Sequence, residues 1–144
     1  MIGTILAAID LAHPENHAMI LTEARRRAEQ DDGHLAVVTA IPDFGMSIVG
    51  AYFEEGAEQK ALADAAEALH RSVAAVLGEA AEAGIKHVVR HGVAYEEILA
   101  TAASLDARLI VMGAHRPNFQ DYLLGPNAAR VVRHSTCSVL VLRH

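Results

Sequence analysis

The run Met112-Gly113-Ala114-His115-Arg116-Pro117, followed by Gly125-Pro126-Asn127, has the residue types and spacing suited to holding a charged small ligand. It comes directly after the apolar run Leu109-Ile110-Val111 and before a helical pattern from Ala128 to His134. Glycine at a strand end lets the backbone approach a ligand, and the free amides of a helix's first turn point at negative charge. The chemistry this stretch predicts is binding of a nucleotide-type anion. His115 also invites a base role, but no acid or nucleophile is positioned beside it, so it reads as a loop residue bonding the backbone or the ligand. Arg116 is read either as a bidentate phosphate contact or as a solvent-exposed arginine or an ion pair with Asp121.

Other reactive side chains give weaker signals. The chain has nine histidines. His87 and His91 are four apart within a predicted strand, where four residues span ~13 Å, too far for one metal. His13 and His17 have helical spacing only if the helix already begins at His13, and no Cys or carboxylate cluster joins them. Surface histidines and no metal site are expected. The single cysteine, Cys137, follows a predicted helix rather than preceding one, so a small buried filler is expected instead of a reactive thiolate.

These residues must be positioned by short apolar runs alternating with longer helical patterns. Ile2 to Ile9 reads as a strand buried on both faces, and His13 to Asp31 as a helix with Ile20, Leu21, Ala24 and Ala28 on one face. Leu35 to Ile41 is a second strand closed by Pro42. Residues 43 to 56 form an irregular excursion in which Tyr52 and Phe53 read equally as a mobile lid or as packing anchors. Ala57 to Ala83 is a long helix stopped by Gly84. Ile85 to Arg90 is a third strand, Tyr95 to Leu105 a helix, and Arg108 to Met112 a fourth strand. Asn127 to His134 is a helix and Ser138 to Leu142 a fifth strand. The order β-α-β-α-β-α-β-α-β predicts one doubly wound α/β domain over residues 1–144, with a five-stranded parallel sheet and helices on both faces. Ligands in such sheets sit beyond the carboxyl strand ends where strand order reverses. The loops after strands one and four have the richest chemistry, which favours a site between them.

Composition narrows the class. At 144 residues, 52% hydrophobic and 21% charged, the chain reads as globular. A formal net charge of -6 argues against non-specific nucleic-acid binding. No disulfide framework, signal peptide or membrane span is expected, so a cytoplasmic protein is predicted.

Over its whole length the chain resembles the universal stress protein family. The resemblance rests on Ile9-Asp10 at the first strand end, a Gly-x-x-x-Glu-Glu-Ile entry to the third helix (Gly92 to Ile98), and the loop after the fourth strand. It is closest to a bacterial subgroup with a His-Arg-Pro loop, which Val131-Val132-Arg133-His134 and Cys137-Ser138-Val139-Leu140-Val141 also match. Members that bind ATP carry Gly-x-x-Gly, nine residues, then Gly-Ser/Thr. Here Arg116 stands at the second glycine and eight residues (117 to 124) precede Gly125, both as in the subgroup. Pro126 replaces the Ser or Thr and brings neither hydroxyl nor amide. Each lost charge-assisted hydrogen bond costs about 1.5–3 kcal/mol, while the amides of Asn127 and Ala128 remain.

The resemblance implies a stress-response protein binding ATP or a related adenine nucleotide with magnesium, regulatory rather than catalytic. Its binding residues would be Ala8, Ile9, Asp10, Ala40, Met112, Gly113, His115, Arg116, Gly125, Pro126 and Asn127. Asp10 would bond adenine or ribose or help hold a phosphate-bound metal, although a loop Asp can equally cap the following helix. Ala40, Met112 and Gly113 match positions that contact adenine through the backbone. The resemblance also implies a homodimer through Val139, Leu140, Val141 and Leu142 of the last strand. The alternative is a nucleotide-free dimeric scaffold or partner-binding protein whose phosphate site Pro126 impairs. An enzyme is not expected: there is no Gly-x-x-x-x-Gly-Lys-Ser/Thr loop, no His-Ile-Gly-His and no Ser-Gly-Gly-x-Asp-Ser. Slow hydrolysis assisted by Asp10 or His115 is the one catalytic activity left open.

Overall fold

The apolar runs become the five strands of one parallel sheet in the computed structural model, which describes residues 3–41, 56–114 and 126–143. They are β1 (Thr4–Ala8), β2 (His34–Ile41), β3 (Lys86–His91), β4 (Ala107–Gly113) and β5 (Ser138–Leu142). The helices are α1 (His17–Gln30), α2 (Ala57–Leu77), α3 (Glu79–Glu82), α4 (Ala94–Ser104) and α5 (Pro126–His134). Strand order is β3-β2-β1-β4-β5, and every pairing is parallel. This is the doubly wound α/β fold.

Alternation along the strands divides the core between the two faces of the sheet. Ile5 and Ala7 of β1, Leu35 and Val37 of β2 and Val111 of β4 pack with Ile20, Leu21 and Ala24 of α1 and Leu69 and Val73 of α2. On the other face Leu6, Ala8, Ala36, Val38, Ile110 and Met112 meet Ile98 and Ala102 of α4 and Ala128 and Val131 of α5. Burying each large aliphatic side chain contributes about 1.5–3 kcal/mol.

Two helices differ from their sequence patterns. The first α-helix starts at His17, because Pro14–Asn16 forms a separate 3₁₀ turn in front of it. The long second helix is interrupted at Gly78, whose φ of 94° and ψ of 152° suit glycine alone. α3 therefore sets off afresh before Gly84. Cys137 is half-buried rather than buried, and its backbone amide donates to Ser135 Oγ at 3.1 Å. The 43–56 excursion, with Tyr52 and Phe53, lies outside the described residues except for Gly56, which precedes α2. Among the described residues no helix is long and apolar enough to cross a membrane.

Candidate functional site

The strand order reverses between β1 and β4. α1, which follows β1, packs on one face and α5, the next described helix after β4, packs on the other, the arrangement that leaves a crevice at the strand ends. A cleft of about 660 Å³ opens there. That is the size of pocket that holds a small organic ligand.

Seven of the eleven sequence-predicted binding residues line this cleft. Ala8, Ile9 and Asp10 come from the end of β1, Ala40 from β2, Met112 and Gly113 from β4, and Asn127 from the first turn of α5. Pro126 is the exposed first residue of α5 and is not among the lining residues. His115, Arg116 and Gly125 lie outside the described residues, as does Asp121. Further residues of the loops after β1 and β3 also contribute, notably His13 before the 3₁₀ turn, Glu15 and Asn16 within it, and Gly92 after β3. Gly92 has a φ of 139°, and a Cβ there would meet the Glu97 carboxylate at 3.2 Å. Glu97 in turn accepts from Arg90 Nε at 3.1 Å, which ties the start of α4 to the end of β3.

Asp10 organises its own loop. Its Oδ1 accepts from the Ala12 amide at 2.9 Å, and its Oδ2 lies 3.9 Å from His13 Nε2. Its carbonyl accepts from the His13 amide at 3.0 Å and bonds His17 Nε2 at 2.8 Å. Both local capping and a ligand-facing oxygen are thus compatible with one side chain that is 65% exposed.

His17 corrects the expectation of surface histidines. It is 5% exposed and pins the carboxyl end of β1 from below the cleft. The 3₁₀ turn brings it there, by folding the chain back before α1 begins. His87 is a second correction, with a side chain 6% exposed. Burial and the neighbouring His70 lower its pKa from the ordinary histidine value, against the opposing pull of Glu82. The described lining residues include Asp10 and Glu15 but no lysine or arginine. Positive potential toward an anion therefore comes, on this part of the wall, from backbone amides at the start of α5.

Fold and cleft together define a doubly wound α/β protein with a ligand-sized crevice at its topological switch point. A model of the universal stress protein family matches residues 1–143, and the chain belongs to that family. It is 30% identical to universal stress protein G of Escherichia coli O157:H7 over 152 aligned positions, covering 99% of this chain and all of the relative. Among solved structures, a universal stress protein from Pseudomonas aeruginosa UCBPP-PA14 superposes with a TM-score of 0.71 at 28% identity, covering 99% of this chain but only 48% of that longer one. A universal stress protein in complex with cAMP superposes at 0.60, with 21% identity over 99% of this chain and 97% of the other.

Proposed function

We propose that this protein binds ATP or a related adenine nucleotide, with magnesium, in the cleft between β1 and β4, and acts through binding rather than turnover. The observation that carries the reading is the convergence of Asp10, the β4 end at Met112 and Gly113, and the first turn of α5 on one ligand-sized crevice. Ile9, Ala40 and Met112 offer apolar surface for a base, and the amides of Asn127 and Ala128 face the phosphates. A structural neighbour described in complex with cAMP supports an adenine ligand on this fold. The sequence His115-Arg116-Pro117 supports reading the chain with the His-Arg-Pro subgroup, whose modified motif has an arginine, here Arg116, at the second glycine. With no lysine or arginine in the described lining, magnesium beside Asp10 and the guanidinium of Arg116 supply the charge that polyphosphate requires. The regulatory output passes through a cytoplasmic homodimer joined at β5.

A second reading is favoured by one observation: Pro126 opens α5 without an N–H, so this branch can have given up its phosphate site and kept a dimeric scaffold. Isothermal titration of nucleotide-stripped protein separates the two, with ATP and magnesium, with ATP and chelator, and with cAMP, beside Pro126→Ser. Micromolar, magnesium-dependent ATP binding by the parent is expected, tightened roughly ten-fold by Pro126→Ser. Binding by Pro126→Ser alone establishes the scaffold. Binding by neither ends the nucleotide reading. Phosphate release from ATP is expected to stay at the blank level in both the parent and Asp10→Ala.

A further inference from the structure

A separate cluster forms where α2 crosses β3, on the face of the sheet that carries α1. The helix runs antiparallel to the strand. Glu58 near its start pairs with His91 at the strand's end, at 3.2 Å, and His70 lies over His87 near the strand's beginning. The two imidazoles stack with centroids 3.8 Å apart and planes 26° from parallel. The chain leaves α2 at Gly78, and α3 returns Glu82 to the same place. There Glu82 Oε1 bonds His70 Nδ1 and lies 3.3 Å from His87 Nε2. One ligand-capable atom from each of His70, Glu82 and His87 lies within 4.8 Å of the others.

His87 is the informative member. Its side chain is 6% exposed, yet Nε2, fully buried and aimed into the cluster, has no hydrogen-bond partner. The carboxylate beside it is close but not aligned for a hydrogen bond. A buried imidazole whose bare nitrogen faces a carboxylate and a second imidazole is an arrangement that a metal ion would satisfy. Leaving a buried nitrogen unsatisfied is unfavourable, and a bound cation would offset that cost.

We propose that His70 Nδ1, Glu82 Oε1 and His87 Nε2 form a site for a divalent transition-metal ion of the zinc type. Two imidazoles and one carboxylate suit zinc, cobalt or nickel rather than magnesium or calcium. Neighbouring ligands on a tetrahedral zinc stand roughly 3.4 Å apart, close to the 3.3 Å between His87 Nε2 and Glu82 Oε1. His70, half-exposed on α2, gives the ion its way in, and a water completes the fourth position. His87 stands at the beginning of β3, at the opposite end of the strand from Gly92, which lines the crevice, so the site is independent of the nucleotide reading.

The test is titration of untagged, chelator-dialysed protein with zinc alone, followed by calorimetry, and with cobalt, followed by visible absorption. The expected result is one high-affinity zinc per chain, four-coordinate cobalt bands, and a zinc-dependent rise in Tm. His70→Ala and Glu82→Gln should each weaken zinc by about 100-fold or more, beyond the loss usual for outer-shell partners. His34→Ala, at an exposed histidine opening β2, should leave it unchanged. Because His70 is half-exposed, His70→Ala keeps the fold even if His87→Ala does not. No zinc binding by the parent, or equal binding by His70→Ala, would overturn the proposal and leave a hydrogen-bonded cluster only.

Discussion

His17 sits beneath the cleft, and its ring reaches back seven residues to the Asp10 carbonyl. Replacing it by alanine removes that bond and opens a small void under the β1 loop. His17→Ala is expected to lower stability by about 1–3 kcal/mol in urea unfolding, with His17→Gln intermediate. A change below 0.5 kcal/mol would mean that water or another donor replaces the ring. The residues at strand ends were readable because their role depends on where an apolar run stops, which sequence displays directly. Asp10, Met112 and Gly113 are of that kind. His17 and His87 were not readable, since their partners come from chain segments that only folding brings near. His87 in particular meets Glu82 and His70, not the sequence neighbour His91 with which spacing arguments compare it.

At the scale of elements, periodicity located all five strands to within two residues and the helices nearly as well. It missed the interruption at Gly78, because a lone glycine inside a helical pattern is tolerated and gives no signal of its own. A Cβ on Gly78 would meet nothing within 4 Å, so the cost of a substitution there is confined to the backbone. Gly78→Ala is therefore expected to destabilise by about 1–3 kcal/mol through its φ and ψ alone. It should also swing α3 away from α2, and if Glu82 is a metal ligand, zinc affinity falls with it. Circular dichroism melts of Gly78→Ala beside Gly84→Ala check this. Equal losses at the two positions would show that the break at Gly78 has no special standing.

For the whole molecule, the alternation of strands and helices was enough to name the sheet, and the loop chemistry was enough to favour strands one and four. Strand order itself came only with the structure. β5 ends the sheet with one row of backbone groups unpaired among the described residues, along the apolar segment Val139 to Leu142. If a partner copy covers that edge, Val141→Lys should convert a dimer to a monomer in sedimentation at micromolar concentration while the fold persists. An unchanged sedimentation coefficient would place the contact elsewhere, or show that the parent is already monomeric. The same strand order has a consequence for synthesis on the ribosome. By the time β3 has emerged, β1, β2 and β3 can pair, but β4 must then dock on the far side of β1. Until that happens β1 is an open border holding Ile5, Leu6, Ala7 and Ala8, the most deeply buried strand of the finished sheet. A nascent chain stalled near residue 100 would present that border to chaperones and lack one wall of the crevice, so shielding of β1 and competence to bind ligand arrive late and together.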